Sequence, residues 1–214
     1  HQTVLVKGVV TIDGHAPGAT SVKLFLQVEG ASAKRPGYQA IASRVQTANA
    51  QDGSFTVPGV QNGRFRVMPA AGWLPDLYIE SVRQGGQNVF DAGFVIDARV
   101  PDPLQVTLRT GAGTIEGTVQ SSARRPISGA TVALVPPAAY RQNRARYQSV
   151  TSDATGRFVI RSIIPGEYKL FAWPDVASGA YFNAKFLSQY EDRGKAVTVG
   201  QSGTVTADVV AIER

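Results

Sequence analysis

The chain contains no cysteine, and it has only two histidines, one methionine and two tryptophans. Without thiols there are no disulfides, no thiolate nucleophile and no cysteine-ligated zinc. With His1 and His15 alone, a histidine base or a multi-histidine metal site has almost no raw material. No run of 18 apolar residues occurs, so no membrane insertion is expected. Helix-forming runs are equally scarce. Also absent are His-Glu-x-x-His, Gly-x-Ser-x-Gly and Gly-x-x-x-x-Gly-Lys, the marks of zinc peptidases, α/β hydrolases and phosphate-binding loops. The expectation is a protein that is not an enzyme and takes no cofactor and no metal. The chain begins at His1, not Met. Two readings are open, a removed signal peptide or a boundary within a longer chain. The first is preferred, and with it export to the periplasm, cell surface or exterior.

What is present says the same thing twice. Asp52-Gly53-Ser54-Phe55-Thr56-Val57 is followed by Asn62-Gly63-Arg64-Phe65-Arg66-Val67. Thr155-Gly156-Arg157-Phe158-Val159-Ile160 is followed by Pro165-Gly166-Glu167-Tyr168-Lys169-Leu170. Gly53 and Gly156, Phe55 and Phe158, Gly63 and Gly166, and Phe65 and Tyr168 are each 103 residues apart. A period that long is a domain duplication and not a solenoid unit. The expected domains are 1–110 and 111–214, with Thr110 to Gly113 as the boundary. Each is large enough to bury a core without disulfides.

Alternating apolar residues mark strands: Val4 to Ile12, Val22 to Val28, Leu77 to Arg83, Leu104 to Leu108, Ile115 to Val119, Phe158 to Ile160, Tyr168 to Ala172 and Val205 to Ile212. A short strand is predicted at Ser43 to Thr47, and loops over residues 29–40 and 136–147. Asp52-Gly53 reads as a hairpin turn, and Gly85-Gly86 as another. Asn183 is suited to cap a short helix through Tyr190. The predicted fold is all-β: two tandem antiparallel β-sandwiches, with one short helix in the second.

The pattern resembles a known family. Its residues here are Gly117-Thr118-Val119, then Pro126 to Val132, Asp153 to Phe158, and Pro165 to Leu170. Together they are similar to the carboxypeptidase regulatory-like domain, a transthyretin-like β-sandwich of bacterial exported and surface proteins. The first half departs from it: Val60-Gln61-Asn62-Gly63 replaces the Pro-Gly, and Gly18 directly follows Pro17. The tract from Tyr78 to Asp91 resembles segments of acidobacterial multi-domain members. The resemblance implies a non-catalytic module: a structural spacer, an interaction domain or a starch-binding type of carbohydrate-binding domain. It also implies other domains or envelope proteins as partners.

Two groups of residues could carry binding. Trp73 and Trp173 each follow their half's Gly-x-Phe/Tyr strand and precede Pro and Asp, which makes Trp73, Asp76, Trp173, Asp175 and Tyr181 candidates for stacking and hydrogen-bonding a polysaccharide. Tyr140 and Tyr147 also lie in predicted loops. The alternative is that the tryptophans plug the ends of their sandwiches. The net charge of +6 is concentrated in the second half, with 12 basic and 8 acidic residues against 10 and 8 in the first. Arg124, Arg125, Arg141, Arg144 and Arg146 could form a patch for an anionic partner; the simpler reading is solvated loops. No nucleic-acid motif accompanies them. His1 as a copper ligand lacks a distant second histidine. A lysine cross-link at Lys7 finds no Asn or Asp in the strand from Leu104 to Arg109, and the strand of Asp208 faces no lysine on its first strand. Self-association through sheet edges, up to fibres, is a further alternative.

Overall fold

The computed structural model describes residues 3–30, 47–97 and 99–213. The chain divides into two compact units, His1–Thr110 and Gly111–Arg214. The predicted loop over 29–40 and strand at Ser43 to Thr47 fall largely outside the described residues, as does His1.

The first unit carries β1 (Thr3–Ile12), β2 (Lys23–Glu29), β3 (Thr47–Ala48), β4 (Ser54–Gln61), β5 (Gly63–Pro69), β6 (Leu77–Gln84), β7 (Gln87–Asn88), β8 (Phe94–Ile96) and β9 (Leu104–Thr110). They form one sheet in the order β4-β1-β9-β6-β7 and another in the order β3-β2-β5-β8. The second unit carries β10 (Gly113–Gln120), β11 (Thr131–Val135), β12 (Gln148–Thr151), β13 (Arg157–Ile163), β14 (Gly166–Trp173), helix α1 (Ala184–Ser188), β15 (Lys195–Val199), β16 (Thr204–Thr206) and β17 (Val209–Val210). Its sheets run β13-β10-β16, with β17 continuing alongside β10, and β12-β11-β14-β15. The described residues are mainly β-strand, and helix α1 is capped as the sequence predicts. The Asn183 side chain accepts from the N–H groups of Lys185 and Phe186.

The two units share a pairing scheme. Gly8 lies opposite Phe55 and Gly117 opposite Phe158. Val10 N–H donates to the Gly53 carbonyl at 2.8 Å, and Val119 N–H to the Gly156 carbonyl at 2.7 Å. Gly53 and Gly156 hold φ of +88° and +78°, which an L-residue adopts only with strain. Both turns are tightened by an aspartate: Asp52 accepts from Ser54 N–H and hydroxyl, and Asp153 from Thr155 and Arg157.

Two expectations are corrected here. Asp52-Gly53 is not a hairpin turn, because β3 pairs with β2 while β4 pairs with β1 in the other sheet. The turn carries the chain across the sandwich. Nor are the sheets purely antiparallel: β9 runs parallel to β1, and β16 and β17 run parallel to β10. The last strand of each unit returns beside the first in the same direction. Local alternation does not encode that choice.

The second unit has a third layer. Val132, Leu134, Leu170 and Ala172 face Ile115, Val119, Phe158 and Ile160 in the sandwich core. Ala133, Val135, Phe171 and Trp173, on the opposite face of the same strands, pack with Tyr181 and Leu187 in a second core. That explains the unbroken apolar runs Val132-Ala133-Leu134-Val135 and Leu170-Phe171-Ala172-Trp173: a strand buried on both faces does not alternate. In the first unit the outer face of β5 instead buries Arg66, 2% exposed, which donates to both carboxylate oxygens of Glu29 and to the carbonyls of Phe90 and Asp91.

Candidate functional site

The predicted aromatic site divides. Trp73, in the loop after β5, is half-buried, and its Nε1–H donates to the Leu77 carbonyl at 2.7 Å. Asp76 beside it is exposed. Trp173 is 0% exposed. It stacks on Phe171 at 5.6 Å with planes 7° apart and meets Phe186 and Tyr190 edge-on or tilted. No sugar ring can reach its face, so its expected exposure is corrected. The cause is parity: Trp173 shares the β14 face that the helical segment covers. Tyr181 is brought close to it but is also buried, with its hydroxyl donating to Ser149 Oγ at 2.9 Å. Asp175 is exposed at the end of β14.

The predicted arginine patch divides too. Arg124 and Arg125 lie exposed in the turn before β11, while Arg141, Arg144 and Arg146 follow that strand. The five residues of β11 make four steps of about 3.3 Å, so roughly 13 Å of strand lies between the two groups along the chain. The predicted polar loop over 136–147 is a folded structure of two 3-10 turns, Ala138–Tyr140 and Arg144–Arg146. Buried Asn143 caps the second by accepting from Ala145 N–H. Arg144 lies over the Phe182 ring at 4.7 Å, and Arg146 over the Tyr140 ring at 4.4 Å.

Arg141 is matched by a specific acid. Its two terminal nitrogens donate to Glu191 Oε2 and Oε1 at 2.9 and 2.8 Å, and Lys169 Nζ donates to Glu191 Oε1 at 2.9 Å. A bidentate guanidinium–carboxylate pair is the strongest geometry such groups adopt. The Arg141 hydrogen bonds, then those from Lys169, hold the Glu191 carboxyl at about 2, against an ordinary 4.5. The charge of Arg141 is therefore balanced within the fold. Because the folded value lies below the unfolded one, this stabilisation is full above about pH 4.5 and disappears as the pH falls towards 2. The thermal midpoint of the second unit should drop over that window. Glu191→Gln should start lower at neutral pH and show a shallower acid slope; parallel slopes for the two proteins would contradict the assignment.

The same end of the unit holds a cavity of about 180 Å³ between the 136–147 loop and the β13–β14 turn. Pro136, Pro137, Tyr140, Arg146, Pro165 and Glu167 line it. Tyr140 and Arg146 were visible in the sequence as loop residues. Pro165 to Tyr168 read only as a fold motif, and nothing local in the sequence brings the two segments together. Among the described residues, no group of three or more His, Asp or Glu side chains is placed to hold a metal ion. Among the described residues, no helix is long and apolar enough to cross a membrane.

Fold and site together define an all-β sandwich protein of two units. Residues 114–211 match the family model of the carboxypeptidase regulatory-like domain. That match spans nearly the whole of the second unit. No curated protein matches the chain. Among solved structures, the streptococcal ancillary pilin is 14% identical with a TM-score of 0.35; the alignment covers 100% of this chain and 63% of the pilin. The minor pilin of Streptococcus agalactiae is 13% identical over 99% of this chain and 98% of that one, with a TM-score of 0.36. The shaft pilin SpaA of Lactobacillus rhamnosus GG is 8% identical over 99% of each chain, with a TM-score of 0.30. At these values the pilins carry no argument about function.

Proposed function

We propose that the chain is a non-catalytic structural and interaction module of an exported or cell-surface bacterial protein, and that its two units are divergent copies of one regulatory-like sandwich. The common pairing of Gly8 with Phe55 and Gly117 with Phe158 supports the duplication. The non-catalytic reading is supported by what six acids do in the fold, each accepting hydrogen bonds from neighbouring residues. Asp13, Asp52, Asp97, Asp153, Asp208 and Glu191 all have carboxyls held below their ordinary values, with hydrogen bonds as the leading cause. A general acid needs its value raised towards neutrality. These carboxylates instead hold structure: Asp13 accepts from Thr110 N–H and hydroxyl, and Asp208 likewise from Thr118. Fractionation of the native host tests the location. Recovery in the surface or periplasmic fraction, with loss when outer layers are stripped, is expected. Co-purification with cytosolic markers would overturn it.

A second reading, self-association through sheet edges, rests on apolar side chains at outer strands. Val95 on β8 is 62% exposed and Val210 on β17 is 56% exposed. Unpaired edges with apolar side chains favour strand addition. Sedimentation velocity should then show mass rising with concentration, and Val95→Lys should reduce it. A constant monomer mass at all concentrations would sink this reading.

A further inference from the structure

We propose that the segment Arg99 to Pro103 in the first unit of one copy of this chain docks in the cavity between Pro136, Pro137, Tyr140 and Pro165 in the second unit of another copy. This rests on the self-association reading and names a contact for it that is separate from the sheet edges. Val100 is 90% exposed, more than any other large apolar side chain among the described residues. A single exposed valine is ordinary; its mount sets this one apart. Pro101 and Pro103 have a fixed φ, and each turns the residue before it, Val100 and Asp102, towards an extended backbone. The Asp102 carbonyl accepts from Gln84 Nε2 at 3.2 Å, which ties the segment to β6, and Leu104 next to it is fully buried at the start of β9. The knob is therefore ordered before it meets a partner, so docking costs little further ordering.

The cavity matches the knob in shape, rigidity and charge. Three of its walls are prolyl rings, and a fourth is the Tyr140 ring, 41% exposed. Tyr168, which also lines it, has its hydroxyl tied to the Ile164 carbonyl at 2.6 Å. Extended proline-containing segments seat in grooves walled by aromatic rings, because both surfaces have little freedom to lose. The 180 Å³ volume corresponds to about six waters at roughly 30 Å³ each, as many heavy atoms as a valine and a proline side chain bring together. The rim carries Glu167, which is exposed and among the described residues pairs with no cation. The knob carries Arg99, whose side chain is 88% exposed. Arg99 donates from Nε and one terminal nitrogen to Asp97 Oδ2, at 3.1 and 2.7 Å, so its other terminal nitrogen can reach a second carboxylate. An apolar tip beside a cation thus meets an apolar hole beside an acid. Knob and cavity stand in different units of the same chain, so the contact is heterologous. Every open complex keeps a free knob and a free cavity, and masses above a dimer are expected.

The test is sedimentation of the intact chain and of Val100→Asp and Glu167→Arg, each alone and the two variants mixed in equal amounts. A contact this small is weak, so the series extends to the highest soluble concentration. Both positions are exposed, and both variants should keep the wild-type thermal midpoint. Val100→Asp spoils the knob and Glu167→Arg reverses the rim, and each alone should weaken association about tenfold or more. The mixture should regain one contact, the intact knob of the Glu167→Arg copy in the intact cavity of the Val100→Asp copy, and stop at a heterodimer. Mass growth that is equal in wild type and both variants would overturn this contact and leave association through sheet edges standing. A constant wild-type mass would remove both. Weakening by the variants without recovery in the mixture would also overturn the proposal. Amide shifts of wild type, titrated with a peptide of residues 99–103 and with a proline-rich peptide of unrelated sequence, check the occupant. Shifts centred on residues 136–146 and 165–168 with the first peptide are expected; tighter binding by the second would make the occupant a foreign chain and overturn the proposal.

Discussion

Trp173→Ala should lower the stability of the second unit by about 3–5 kcal/mol, while Trp173→Phe should stay within about 1.5 kcal/mol of wild type. The first figure follows from removing a fully buried indole from between Phe171, Phe186 and Tyr190, which leaves a cavity beneath the helical segment. The second follows from the indole nitrogen. Trp173 Nε1 is buried and has no hydrogen-bond partner among the described residues. An unsatisfied buried donor costs about 1–3 kcal/mol, and phenylalanine removes that cost while keeping an aromatic ring against Phe171. The loss of packed volume and the relief of the orphan N–H therefore oppose each other. Amide exchange of β11 and β14 in denaturant reads the second unit alone. Trp73, the sole tryptophan left in either variant, reports the first unit by fluorescence and should not change its transition. Equal destabilisation by both substitutions would show that the nitrogen contributes a bond worth as much as the ring.

Gly117→Ala should cost the second unit about 3 kcal/mol, near the upper end for overpacking, although Gly117 sits in an ordinary strand conformation. A Cβ there would lie 1.9 Å from the Ala207 carbonyl oxygen and 2.6 Å from its carbon. Those are backbone atoms, and the Ala207 N–H donates to the Glu116 carbonyl at 2.8 Å, so the segment cannot move away without losing that bond. Gly129→Ala is the control. Its φ of +74° is strained for alanine, but nothing lies within 4 Å of the added carbon. The conformational penalty alone is about 1–2 kcal/mol. At about 4–8 °C per kcal/mol for a domain of this size, the two midpoints separate cleanly. Comparable losses would mean that β10 and the Ala207 segment spread at little cost. Gly8 has the same role in the first unit, with an added carbon 2.2 Å from Phe55 Cζ and 2.8 Å from the Leu104 carbonyl oxygen.

Much of this molecule is readable residue by residue. The period-two runs from Val4 to Ile12 and Leu104 to Leu108 became β1 and β9, because one face of each strand is buried and the other is wet. The Gly85-Gly86 hairpin and the Asn183 cap depend on a few adjacent residues and came out as predicted. The fate of Trp173 was also partly legible. Leu170-Phe171-Ala172-Trp173 does not alternate, and an unbroken apolar run marks a strand covered on both faces.

The candidate site was legible only in pieces. Tyr140 and Arg146 stood out as a loop aromatic and a loop charge, whereas Glu167 was hidden inside a fold motif. The binding of Arg141 by Glu191, 50 residues away, left no local trace. Sequence alone determined the strands, the tight turns, the repeat and the family resemblance, because each depends on spacing over a few residues or on a pattern that recurs. Tertiary structure alone decided that the last strand of each unit runs parallel to the first, that the turns at Gly53 and Gly156 cross between sheets, and that Tyr140, Arg146 and Glu167 share a cavity. Those outcomes depend on which distant surfaces lose water together, and hydrophobic burial is non-directional, so no short stretch of residues names its partner.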